Sequence, residues 1–206
     1  SNTSTVTITI AAVNDAPTTD DDTASTDEDT AVDISITASD TEGDSVTFSI
    51  VSDASNGTTS LTDSTVTYTP DDDFNGTDTF TYKANDGEDD SNTSTITITV
   101  AAVNDLPTTE DITTTIDENR YASRVAGITL LGTDVDGDDL TYSVVSDASN
   151  GTTSISGSTL TYTATQDYNG SDAITYKAND GTGDSNTSLI NITITPWKVT
   201  INYTIA

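Results

Sequence analysis

The chain has 206 residues and carries 35 acidic side chains against 5 basic ones, a net charge of −30. That charge repels nucleic acid and anionic membrane surfaces, and it suits a binder of cations or a surface kept soluble in a salty medium. Cysteine, histidine and methionine are absent, which excludes disulfides, Ser-His-Asp triads, cysteine nucleophiles and histidine-ligated zinc within the chain. No run of about 20 apolar residues exists, so no stretch reads as inserting in a membrane.

The first ten residues, SNTSTVTITI, alternate with a period of two and place Val6, Ile8 and Ile10 on one face. The phrase AAVNDAPTT follows, and the whole stretch 1–19 returns as SNTSTITITVAAVNDLPTT at 91–109. IVSDASNGTTS (50–60) returns as VVSDASNGTTS (144–154), and FNGTDTFTYKANDG (74–87) returns as YNGSDAITYKANDG (168–181). The offset grows from 90 to 94 residues, which places a four-residue insertion near NRYASRVAG (119–127). Self-similarity at this period marks tandem units, here 14–103 and 104–196.

Within unit 1 the apolar residues Val32, Ile34 and Ile36 share a face. So do Val46, Phe48 and Ile50, then Phe80, Tyr82 and Ala84, then Ile96, Ile98 and Val100. Unit 2 repeats the pattern with Leu140, Tyr142 and Val144, with Ile174, Tyr176 and Ala178, and with Ile190, Ile192 and Ile194. Alternation predicts half-buried strands, and Asn56-Gly57 and Asn150-Gly151 read as hairpin turns. No segment has a helical period. About seven short strands in ~90 residues predict an antiparallel, Ig-like β-sandwich for each unit. The fold class is therefore all-β: two tandem sandwiches with an extra strand at each end.

The acids gather where such a sandwich has its ends. SDTEGD (39–44), TDVDGDD (133–139) and the two ANDG turns (84–87 and 178–181) belong to one pole. DED (27–29), DEN (117–119) and PDDD (70–73) belong to the other. Oxygen-only ligands rich in carboxylates suit Ca²⁺, which takes six to eight oxygens. The expected ligands at the junction are Glu28, Asp71 and Asp73 of unit 1, Asn104 and Asp105 of the linker, and Asp134, Asp136 and Asp180 of unit 2. Asn14, Asp15, Asp40, Glu42 and Asp86 form the matching upper half-site of unit 1. Solvated turn acids are the plainer reading of each motif taken alone.

These residues carry a resemblance. AVNDAP and AVNDLP, TYTPDDDFNGTDTFTYKANDG (67–87), TYTATQDYNGSDAITYKANDG (161–181) and DVDGDD resemble the cadherin-like and Ig-like tandem repeats of bacterial and archaeal surface adhesins and fibres. The resemblance implies inter-domain calcium held by a Glu after the first strand (Glu28), a DxD loop (Asp134, Asp136), an AxD turn (Asp180) and an Asx-rich linker (Asn104, Asp105). It also implies an extracellular stalk, spacer or fibre without catalysis. The pattern thins downstream. ATQD (164–167) replaces PDDD, and TPWKV (195–199) stands where the Asn-Asp-x-Pro phrase would recur. Residues 14–103 hold 21 acids and one base, against 14 acids and four bases in 104–206, so no full calcium clip is expected below unit 2.

The ends read as strands without a sheet of their own. Residues 1–13 fit the last strand of a preceding repeat or a strand donated to a neighbour, and 197–206 form an amphipathic strand built on Trp197, Val199, Ile201, Tyr203 and Ile205. A lone apolar-faced strand seeks a sheet edge. Three functions follow: a non-catalytic structural or adhesive module at the cell surface, a subunit of a head-to-tail filament joined by donated strands, or a carbohydrate-binding adhesin domain. The partners are neighbouring repeats or identical subunits, with a surface glycan or protein as an adhesion target. An enzyme is the weakest reading, because no local feature raises the pKa of one acid of a pair or builds a cleft. Nine Asn-x-Ser/Thr triplets also occur, at Asn2, Asn56, Asn75, Asn92, Asn150, Asn169, Asn186, Asn191 and Asn202, each a formal acceptor for N-glycosylation.

Overall fold

The alternating Thr-rich segments are strands, and the computed structural model, which describes residues 3–11, 13–117 and 124–196, contains no helix among them. Two compact units divide between Val103 and Asn104.

Unit 1 consists of β1 (Thr18–Thr19), β2 (Asp22–Asp27), β3 (Val32–Ser35), β4 (Ala38–Ser39), β5 (Thr47–Ser52), β6 (Gly57–Thr62), β7 (Thr65–Pro70), β8 (Gly76–Asn85) and β9 (Ser94–Ala101). One sheet runs β2-β9-β8-β5 and the facing sheet β3-β7-β6, with β1 paired to β4 at the side. All pairings are antiparallel except β2 with β9. Unit 2 repeats the design with β10 (Thr108–Thr109), β11 (Ile112–Asp117), β12 (Val125–Thr129), β13 (Gly132–Thr133), β14 (Thr141–Ser146), β15 (Gly151–Ser156), β16 (Thr159–Ala164), β17 (Gly170–Asn179) and β18 (Ser188–Thr195). Its sheets run β11-β18-β17-β14 and β12-β16-β15.

The period of two sends alternate side chains inward. Val66, Tyr68, Phe80, Tyr82, Ile96 and Ile98 are buried between the sheets of unit 1. Leu160, Tyr162, Ile174, Tyr176, Ile190 and Ile192 fill unit 2. The tyrosines are core residues whose hydroxyls are hydrogen-bonded to protein groups. Tyr82 donates to the carbonyls of Asp20 (3.0 Å) and Thr37 (3.3 Å), fixing the chain before β2 to the end of β3.

One expectation is corrected. Asn56-Gly57 and Asn150-Gly151 are not hairpin turns, because β5 and β6 belong to different sheets, as do β14 and β15. The chain crosses between sheets there, and glycine is needed for a close approach. A Cβ on Gly57 would stand 2.5 Å from the Thr69 carbonyl and 2.7 Å from the Tyr68 ring, and one on Gly151 would stand 2.4 Å from the Tyr162 ring. The tight hairpin joins β6 to β7 through Asp63-Ser64, closed by Thr62 opposite Thr65, with Asp63 left-handed at φ 53°. Among the described residues, 3–11 join no ladder, and Val6, Ile8 and Ile10 are 83%, 80% and 90% exposed. Strand geometry persists only where a second edge takes up the backbone hydrogen bonds, and none is offered to this segment among the described residues. The C-terminal strand expected at 197–206 lies outside the described residues, as does Arg120 of the insertion.

Candidate metal centres

Each unit brings acids to the pole where its chain enters. In unit 2 the loop after β13 carries Asp134, Asp136 and Asp138, whose carboxylates each place one oxygen within 4.8 Å of the other two. The β10–β13 ladder is antiparallel, with Thr108 opposite Thr133. That register carries the preceding chain along the same loop, and the Asp105 amide donates to Asp136 Oδ2 at 2.8 Å. Asn104 Nδ2 donates to Asp180 Oδ2 at 3.0 Å from across the turn after β17. Asp180 Oδ1 caps the amides of Thr182 and Gly183, both at 2.6 Å. The Asn104 amide, with the Gly183 and Thr182 amides, holds Asp180 below the usual carboxylate range. Asp134 is the telling member. Its Oδ1 takes the Asp138 amide at 3.1 Å, but its Oδ2 is buried and has no hydrogen-bond partner among the described residues.

Unit 1 has the same construction. Asn14 Nδ2 donates to Asp86 Oδ2 at 2.9 Å and to Asp89 Oδ2 at 3.3 Å. The Asp15 amide reaches Glu42 Oε2 at 3.1 Å, Glu42 serving where unit 2 has Asp136. Asp40 Oδ1 takes the Asp44 amide at 2.9 Å, and its Oδ2 is again buried and unpartnered. The Asp89 amide, then Asn14 and the Glu88 amide, hold Asp86 low. A buried carboxylate oxygen without a donor costs free energy unless a cation meets it. The same orphan in both units, within sets made only of oxygen, fits Ca²⁺.

At the opposite pole of unit 1, Glu28 is 4% exposed. Its Oε1 accepts the Val103 amide at 2.5 Å and its Oε2 the Asn75 side chain at 3.3 Å. Asp29 and Asp73 are both left-handed (φ 57° and 58°), and the Asp73 amide donates to Asp29 Oδ1 at 3.1 Å. Asp71 is exposed and serves the turn through its backbone, donating to the Asn56 carbonyl at 2.9 Å. The counterparts of Glu28 and Asp29 in unit 2, Glu118 and Asn119, lie outside the described residues.

The bacterial Ig domain model matches residues 14–99 and again 104–193. The chain belongs to the bacterial Ig domain family. The two domains align with human protocadherin-24 EC1-2 at 15% identity and a TM-score of 0.56, covering 90% of this chain and 100% of that one. Human mucin-like protocadherin EC1-2 gives 15% identity and a TM-score of 0.54, with coverage of 88% and 98%. The fold is thus cadherin-like. The chain also spans 29% of the length of an endo-fucoidan hydrolase from glycoside hydrolase family 107, at 20% identity and a TM-score of 0.36, a likeness too loose to bear on activity. No curated protein sequence matches the chain.

Within these bacterial Ig domains, sequence reasoning missed Asp44, Asp89, Asp138 and the pairing role of Asp29. It also missed two buried acids, Asp78 and Asp172. Asp78 Oδ1 accepts the Ser55 (3.1 Å) and Thr79 (2.8 Å) amides. Its Oδ2 accepts the Asn56 amide (2.8 Å) and the Tyr68 hydroxyl (3.1 Å). Asp172 repeats this with Ser149, Ala173, Asn150 and Tyr162. Burial acts to raise the Asp78 pKa, but the amides of Asn56, Ser55 and Thr79 with the Tyr68 hydroxyl outweigh it and hold the acid low. Burial and then the bonded Asp78 push Tyr68 up to about 12. These acids pin the crossover between sheets and offer no free oxygen to a ligand.

Proposed function

We propose that this chain is a non-catalytic extracellular repeat module, structural or adhesive, that binds Ca²⁺ at the ends of its domains and is stiffened by it. The observation that carries the reading is the buried, partnerless Oδ2 of Asp134, duplicated at Asp40. Asn104, Asp105, Asp134, Asp136 and Asp180 would hold the ion on the unit 2 side. Glu28 with Asp73 or Asp71 would hold an ion at the opposite pole of unit 1. Asn14, Asp15, Asp40, Glu42 and Asp86 would serve a junction with a preceding repeat. Bound calcium would supply positive charge where carboxylates crowd; the residues themselves orient one another through the Asn104, Asp105 and Asp138 hydrogen bonds. Isothermal titration of the chelator-washed chain with CaCl₂ tests this. Saturable binding that weakens at least tenfold in a D134N/D136N variant supports it, and heat no greater than dilution at millimolar calcium overturns it.

A second reading has its own observation. Val6, Ile8 and Ile10 form a solvent-facing apolar edge that a strand-accepting neighbour would cover, which supports a head-to-tail filament. Negative-stain microscopy across a concentration series separates the two: lengthening rods support donated strands, and particles of one length at every concentration exclude them.

A further inference from the structure

We propose that Asn169 is an acceptor for N-linked glycosylation, with a lipid-pyrophosphate-linked oligosaccharide as the donor. Transfer needs a side-chain amide that is exposed, unengaged and on backbone that a transferase can grasp. The nine Asn-x-Ser/Thr triplets differ sharply in this respect once folded. Asn2 and Asn202 lie outside the described residues. Asn92 spends its whole amide on β1, accepting from the Thr19 amide at 3.0 Å and donating to the Thr19 carbonyl at 2.8 Å, and Asn186 does the same with Thr109. Asn75 gives Nδ2 to Glu28. Asn56 and Asn150 are half-buried, with backbones clamped on Asp78 and Asp172. Asn191 lies inside β18, laddered on one side to β11 and on the other to β17.

Asn169 differs from all of these. It is exposed in the turn between β16 and β17, and among the described residues its Nδ2 has no hydrogen-bond partner. The turn holds it outward. Asp167 is left-handed at φ 60°, and the Tyr168 amide closes on the Thr165 carbonyl at 3.2 Å. Gly170 follows at φ 138°, a conformation open to glycine, and leaves no side chain beside the acceptor. The Tyr168 hydroxyl donates to the Ser171 carbonyl at 2.7 Å, while the exposed Ser171 has no hydrogen-bond partner for its own hydroxyl among the described residues. In unit 1 the equivalent amide is tied to Glu28. The counterpart of Glu28 in unit 2, Glu118, lies outside the described residues, and Asn169 stands at the pole where ATQD replaces the PDDD acids.

In the transfer, Nδ2 forms a bond to the anomeric carbon of the donor sugar, and the bond from that carbon to the pyrophosphate oxygen breaks. The lipid pyrophosphate leaves with the electron pair, and the amide loses one proton to a base of the transferase. Acceptor competence rests on the geometry of unit 2 alone; only its use in a cell rests on the extracellular reading. The test is made on the folded, full-length chain with a purified oligosaccharyltransferase and a short lipid-linked oligosaccharide, read by intact mass and glycopeptide mapping. One added glycan is expected on Asn169, absent in N169Q and S171A and retained in the N56Q/N150Q/N191Q variant. Absence of a glycan at Asn169, or equal occupancy at Asn75 or Asn191, overturns the proposal. So does transfer to a peptide spanning 163–173 but not to the folded chain. A site that accepts in vitro yet is bare on the protein from its own cells would count against the extracellular reading and leave the acceptor geometry intact.

Discussion

Asp78 and Asp172 separate the acids that build this protein from those that decorate it. Each sits on the inward face of its strand and satisfies four donors, so removing the carboxylate strands two crossover amides in a dry site. Asp78→Ala is expected to cost about 3 kcal/mol, the upper range for leaving buried donors unpaired, measured by urea unfolding. The pH dependence has a definite sign. Asp78 and Asp172 titrate lower in the folded state than unfolded, so their contribution is complete above the unfolded carboxylate value of about 3.9. It is lost as pH falls through the folded value. Melts between pH 6 and pH 2 should therefore fall off below about pH 4, and the fall should be shallower in D78A. Lys83 and Asp90 give the contrast: a 2.5 Å pair with its side chains 35% and 49% exposed. Solvent screens it, and D90N should leave the urea midpoint unchanged. Asp78 was legible in the sequence, because NGTDTFTY puts it in phase with Phe80 and Tyr82. An acid in an inward register signals a buried hydrogen-bond hub, a signal easily lost among 35 acids.

β3, β5, β8 and β9, with β14, β17 and β18, were legible because their apolar residues alternate. The two-residue strands and β2, DTASTD, carry no such mark, and the crossover was not legible either. Asn-Gly between two alternating runs predicts a hairpin on local grounds, yet here sheet membership decides. β5 pairs with β8 and β6 with β7, long-range choices that no dipeptide encodes. The glycine is retained for a tertiary reason, the Tyr68 ring and Thr69 carbonyl pressed against it. Gly57→Ala and Gly151→Ala should each cost about 1–3 kcal/mol as overpacking, read as a lower urea midpoint with an unchanged m-value. If Asn56-Gly57 were a free turn, alanine would cost only a fraction of that. The same edge strands carry a further device. Register shifts after Ile50 and Val144 form bulges that turn Val51 and Val145 outward, 51% and 53% exposed. A bulge on an edge strand spoils it as a template for unwanted pairing, and this too follows from partners far away in sequence.

For the whole molecule, a net charge of −30 on 206 residues means that any cation stabilises the folded chain somewhat by screening. A calcium site has to be told apart from that background. Screening depends on ionic strength and saturates as the Debye length drops to about 3 Å at 1 M salt, whereas a site responds to the ion's own activity. At calcium 100 times its Kd, binding to the folded state alone adds about 2.7 kcal/mol. In a domain of this size that raises the melting temperature by roughly 10 °C or more. The expected outcome is a rise of that order when CaCl₂ replaces chelator in 0.5 M NaCl, with magnesium at the same concentration giving much less because it resists giving up its water for carboxylates. D134N, which leaves the Asp138 amide an oxygen acceptor but removes one of the four carboxylate charges on the unit 2 side, should remove most of the rise while changing the calcium-free melt little. Limited proteolysis gives the mechanical readout: cleavage within 101–107 should slow in calcium and return with chelator. A calcium rise matched by magnesium, or kept in full by D134N, would assign these carboxylates to solubility alone.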